Sequence, residues 1–135
     1  MAPTVSDIIS VLDSIAPPTL AEAWDNVGLQ VGDRERTVKQ IWIALDPTYQ
    51  VVKAACRQKV DLLITHHPLL FKPLQSLDFR TPVGSIIDLA VRHHLAIFSA
   101  HTNLDSTLGG INDILAARIG LSDLKPLAEF QSDNQ

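Results

Sequence analysis

The chain has 135 residues, of which 46% are hydrophobic and 19% charged, with a formal net charge of −4. That is the size of one domain with enough apolar content for a core. The acidic balance and the lack of a basic run leave no footprint for nucleic acid or an anionic membrane. A single cysteine, Cys56, rules out an internal disulfide and fits a reducing compartment. The N-terminal residues Met1 to Asp7 have neither a basic nor a long apolar region. No apolar stretch is long enough to span a bilayer, so a cytoplasmic protein is expected.

Residues 6–16 are predicted to form a helix, with Ser6 as N-cap, Asp7 in the first turn, and Ile8, Ile9, Leu12 and Ile15 as its apolar stripe. Pro17-Pro18 ends it. A second short helix is predicted from Leu20 to Trp24. The stretch Trp24-Asp25-Asn26-Val27-Gly28-Leu29-Gln30-Val31-Gly32 reads as a turn followed by a short strand at Leu29–Val31, with Asp25 as a turn residue. No GxGxxG or GxxxxGK[ST] phosphate loop occurs.

Ile41 to Leu45 is continuously apolar, as expected of a strand covered on both faces. A helix follows to about Gln58, with Asp46 as N-cap and Pro47 at the first helical position. Cys56, among the apolar residues of that helix, reads as a small core filler. Leu62 to Ile64 is the next strand, which makes a βαβ unit with parallel strands. The proline-rich stretch Leu69 to Leu74 is irregular. Another helix is predicted over residues 82–93 and a third parallel strand over 95–100. After Gly109-Gly110, a last helix runs from Ile111 to Ile119 and stops at Gly120. Residues 1–122 form the predicted domain, and 123–135 a weakly ordered tail.

Two strands end in the same chemistry. Asp61-Leu62-Leu63-Ile64-Thr65 runs into His66-His67-Pro68, and Leu95 to Ala100 runs into His101-Thr102-Asn103-Leu104-Asp105. In a parallel sheet the carboxyl ends share one edge, where ligand sites collect. His66, His67, His101 and Asp105 are therefore candidate ligands of a metal. Three imidazoles and a carboxylate without thiolate suit Zn, Fe, Mn, Co or Ni. Neighbouring residues on an extended strand point to opposite sides. His66 and His67 therefore bind two ions, or the chain turns after His66. Thr65 is a candidate hydrogen-bonding support. His93-His94 are set aside as helix C-terminal residues that favour the dipole. The competing, bland expectation is a flavodoxin-like module in which the four candidates lie scattered.

Taken together, Trp24 to Gly32, Asp61 to Phe71, His101 to Asp105 and Gly109-Gly110-Ile111-Asn112-Asp113 resemble the N-terminal half of the NIF-three-like family, the GTP cyclohydrolase I type 2 homologues. The resemblance implies an α/β fold with a mixed, largely parallel sheet flanked by helices. It implies a dinuclear metal centre in which His66, His67, His101 and Asp105 match the N-terminal ligands. Family members carry a further His and Glu in a C-terminal segment, so this chain is read as an N-terminal fragment or a truncated member, in which the two divalent ions can be incompletely bound. The implied activity is that of a metal-dependent hydrolase of a small-molecule or nucleotide substrate, in a homo-oligomer. The alternative is a non-catalytic metal-binding interaction or regulatory module.

Overall fold

The computed structural model describes residues 2–125, so most of the tail expected over 123–135 lies outside the described residues. The first helix, α1 (Val5–Ile15), begins one residue before the sequence suggests. Thr4, not Ser6, is its N-cap. The Thr4 hydroxyl accepts from the Asp7 N–H, and the Asp7 carboxylate accepts from the Thr4 N–H at 2.8 Å, closing a capping box. Of the expected stripe, Ile9 is buried with Val5, whereas Ile15 is exposed.

The predicted helix from Leu20 to Trp24 is not formed. A single 3-10 turn spans Pro18–Leu20. The Glu22 N–H is taken by the Thr102 hydroxyl at 3.0 Å instead of by a helical carbonyl. The chain is thereby drawn across to a distant segment and Trp24 is left in a turn.

Four strands form one sheet in the order β1 (Gly28–Val31), β4 (Ala96–Ser99), β3 (Leu62–Thr65), β2 (Ile41–Ala44). β2, β3 and β4 are parallel, in the register Ala44, Thr65, Ser99 at their carboxyl ends. Each βαβ crossover is made by a helix, α2 (Tyr49–Arg57) between β2 and β3, and α3 (Pro82–Arg92) between β3 and β4. β1 runs antiparallel against β4, with Gly28 opposite Ser99. The amino end of β1 thus meets the carboxyl ends of the other three strands. The sheet is mixed and largely parallel, as the resemblance implies.

The core has two layers. On one face of the sheet, Leu63 and Ile97 pack with Val52, Ala55 and Cys56 of α2 and with Ile86, Ile87 and Ala90 of α3. On the other face, Val5 and Ile9 of α1 cover Leu62, Ala96 and Phe98. Cys56 is the core filler expected, and burial pushes its thiol pKa up. β2 departs from expectation. It is an edge strand, and Ile43 is 81% exposed. α1 covers the centre of the sheet and does not reach that edge, so a continuous apolar run here is buried on one side only.

α2 also starts later than expected. Thr48, not Asp46, is its cap, accepting from the Val51 N–H at 3.3 Å. After β4 the segment expected as a loop forms the short helix α4 (Thr102–Ser106), and α5 (Ile111–Arg118) follows, with Gly120 just beyond it at φ +80°. Among the described residues no helix is long and apolar enough to cross a membrane.

Candidate metal centre

Two strand ends, those of β3 and β4, deliver three imidazoles to one place. One ring nitrogen each from His66, His67 and His101 lies within 4.8 Å of the others. The ring centroids form a near-equilateral triangle of 5.0, 5.1 and 5.5 Å. Asp105, on the last turn of α4, places a carboxylate oxygen 3.7 Å from His66 Nε2. Two ligands of one tetrahedral ion, each about 2.1 Å from it, stand roughly 3.4 Å apart. The His66–Asp105 separation is therefore close to that of two ligands sharing an ion, and is longer than a hydrogen bond. The expectation that the candidates are scattered is overturned.

His66 and His67 meet because β3 stops at Thr65 and the chain bends. Of the two possibilities left open by strand geometry, the turn is realised. The turn is held mainly by the strands on either side. The His66 N–H donates to Ala44 O and the His67 N–H to Leu45 O. The buried Thr65 hydroxyl donates to His67 O at 2.9 Å, and the Ser99 hydroxyl to His66 O at 2.8 Å. Thr65 is thus a supporting residue, as suspected.

Each imidazole has one nitrogen already engaged. His66 Nδ1 is 3.0 Å from Ala100 O, a group that can only accept, so Nδ1 carries the proton. His67 Nδ1 is 2.7 Å from the Asp46 carboxylate and His101 Nδ1 is 2.9 Å from the Asp25 carboxylate. All three Nε2 atoms are left with a lone pair. A histidine that ligates through one nitrogen and donates from the other to carboxylate or carbonyl is the usual arrangement around a metal. This donor set fits one or more borderline divalent ions.

Asp25 and Asp46 are the functional residues that sequence reasoning missed, having been read as a turn residue and a helix cap. Asp25 is the more embedded of the two. Its side chain is fully buried, and it accepts from His101 Nδ1 and from the Thr102 N–H and hydroxyl. Burial pushes its pKa up, but the hydrogen bonds from Thr102, His101 and Asn26 outweigh that, and its carboxyl titrates below the ordinary value. Asp25 reaches His101 only because β1 runs antiparallel and returns its amino end to the site. Asn103, 2% exposed, accepts from the His101 N–H and donates to Ala16 O, tying the start of α4 to the end of α1. His93 and His94 lie at the far end of α3, as expected from their place in the sequence.

The chain is similar to known proteins over most of its length. The chain is 42% identical over 124 residues to the GTP cyclohydrolase 1 type 2 homolog of Listeria monocytogenes, a match that spans 92% of this chain and 33% of the relative. It is 41% identical over 122 residues to the homolog of that name from Methanocaldococcus jannaschii, covering 90% of this chain and 49% of the relative. Among solved structures, a Bacillus cereus protein related to NIF3 superposes with a TM-score of 0.88 at 39% identity, over 94% of this chain and 35% of that one. Reduced HcgD from Methanocaldococcus jannaschii superposes with a TM-score of 0.87 at 38% identity, over 93% of this chain and 50% of that one. The chain thus spans between a third and a half of the relatives it matches. A family model matches residues 3–133, nearly end to end, and the chain belongs to the Duf34/NIF3 (NGG1p interacting factor 3) family.

Proposed function

We propose that this chain is the metal-binding part of a dinuclear, metal-dependent hydrolase of the GTP cyclohydrolase I type 2-like class, acting on a small-molecule or nucleotide substrate within a homo-oligomer. The observation that carries this reading is the convergence of three imidazoles, each with Nδ1 committed to an oxygen, beside the Asp105 carboxylate. Structural zinc sites are closed by four protein ligands. Here the side chains of His67 and Asp105 are 45% and 33% exposed, so the cluster keeps a side open to solvent and substrate.

Divalent metals of the Zn, Fe, Mn, Co and Ni group supply Lewis acidity and lower the pKa of an attacking water. His66, His67 and His101 would hold them through Nε2, and Asp105 would join them as a ligand or orient the water from the exposed side. Asp25 and Asp46 keep the two imidazoles they touch in the Nδ1–H tautomer throughout. Four protein groups do not fill the shells of two ions, so waters, another chain or the region that the longer relatives possess beyond this match would supply the remaining ligands.

The test is metal analysis of the protein after incubation with zinc or manganese, followed by a hydrolysis panel that includes GTP. Stoichiometric metal, lost in His66→Ala and His101→Ala, together with turnover abolished in His67→Ala, is the expected result. Bound metal without turnover of any nucleotide or phosphoester would sink the enzyme reading. It would favour the alternative, a non-catalytic metal-binding interaction module, to which the family's description as an interacting factor points. Failure to retain metal would refute both.

A further inference from the structure

Trp24 and Phe71 stand beside the metal centre and remain uncovered. Trp24 is 58% exposed and Phe71 49% exposed. Their ring centroids are 5.8 Å apart at 63°, and Trp24 lies 6.3 Å from the His101 ring at 76°. Neither neighbour lies parallel to the indole, so its stacking capacity is unused. Scattered exposed aromatics need no explanation. A contacting pair at the rim of a ligand cluster is a different case.

The backbone that presents these rings is tied down although the rings are not buried. Next to Trp24, Asp25 is locked by His101 and Thr102. Next to Phe71, Leu70 is held on both sides. The Asn26 side-chain amide donates to Leu70 O, and the Leu70 N–H donates to Gln30 Oε1 at 3.1 Å. The register shift between Leu29 and Val31 frees Gln30 from strict alternation and lets it serve this clamp. Five polar side-chain contacts thus place two aromatic rings at the rim without covering them. Packing alone does not ask for that.

We propose that Trp24 and Phe71 form a stacking wall that receives a planar heteroaromatic ring, carried by a ligand whose nitrogen or oxygen atom enters the metal centre. This deepens the proposed function and rests on its metal centre. A flat ring stacked on the indole lies within one small-molecule length of His101. Aromatic stacking of this kind is sequence-tolerant and contributes about 1–3 kcal/mol per ring, or roughly five- to a hundred-fold in affinity.

The test compares two ligands with the same metal-binding head, nicotinohydroxamic acid with its pyridine ring and acetohydroxamic acid with a methyl group, on the zinc-loaded chain. Trp42→Phe is the background, since Trp24 and Trp42 are the two tryptophans and Trp24 then reports alone. Nicotinohydroxamate is expected to quench Trp24 emission and to bind about ten-fold or more tightly than acetohydroxamate. In the unquenchable Trp24→Ala and in Phe71→Ala, followed by zinc competition, that preference falls to within about two-fold while acetohydroxamate affinity is unchanged. Trp24→Tyr, which keeps a ring, retains most of it. Equal affinity for both hydroxamates, or a preference that survives Trp24→Ala, overturns the wall and leaves the metal centre standing. If neither binds because the chain holds no zinc, the metal-centre reading falls and the wall falls with it.

Discussion

Asp25 and Asp46 touch different histidines from very different environments, and this sets what each is worth. The Asp25 carboxylate is fully buried beside a His101 that is 16% exposed, whereas Asp46 and His67 are each about half exposed, at 49% and 45%. Replacing a hydrogen-bonding partner of a metal-ligating histidine typically lowers metal affinity about 10- to 100-fold. Asp25→Asn is expected at the upper end of that range and Asp46→Asn at or below the lower end, because water replaces the partner more readily at an exposed position. Zinc competition against a chromophoric chelator measures both. Equal losses would show that burial does not grade these two contacts. Neither residue was legible as a partner in the sequence. An aspartate before Asn-Val-Gly satisfies every rule for a turn, and one before Pro-Thr satisfies every rule for a helix start. Only the three-dimensional meeting with His101 and His67 reveals the second use.

Elements make the next set of consequences. The capping box of α1 holds the Asp7 carboxylate through the Thr4 backbone N–H and then the Thr4 hydroxyl, and its pKa lies below the ordinary carboxylate value. A native pKa depressed in this way contributes stability that is fully present above the unfolded value, about pH 4, and is lost as pH falls through the lower native one. Asp7→Asn is therefore expected to flatten the acid limb of a melting-temperature profile between neutral pH and about pH 3. A mutant profile parallel to wild type would exclude the box as a contributor. The strands give a second contrast. Phe98 on central β4 is 2% exposed, and Ile43 on edge β2 is 81% exposed. Phe98→Ala is expected to cost about 3–5 kcal/mol and Ile43→Thr within about 0.5 kcal/mol of zero, read by urea denaturation. A large loss at Ile43 would mean that β2 is covered in solution. Apolar composition made both segments equally recognisable as strands. It carried no information on which one α1 would reach.

At the scale of the whole molecule, most of the parallel architecture was legible because strand–helix–strand alternation admits few arrangements, and right-handed parallel crossovers put the carboxyl ends together. That placed His66-His67 and His101 at one edge, while the turn that joins His66 to His67 and the helix that carries Asp105 did not follow from it. The direction of β1 did not. A four-residue strand after a turn reads the same whether it runs parallel or antiparallel, and here its pairing is settled by contacts with β4, far along the chain. The 3-10 turn and the displaced Trp24 depend on Thr102 in the same way. Sequence periodicity reports local neighbours. The direction of β1, the 3-10 turn and the place of Trp24 are held by partners far along the chain.

The antiparallel return of β1 also ties one histidine to a distant part of the chain. β2, β3 and β4 are joined by consecutive crossovers, whereas Gly28 pairs with Ser99 far along the chain, and this contact closes a long loop. Asp25, just ahead of β1, reaches His101 only with β1 docked. His66 and His67 owe their Nδ1 partners, Ala100 O and Asp46, to other segments. A chain with β1 detached would therefore keep two aimed imidazoles and leave the third free to present either nitrogen to an ion.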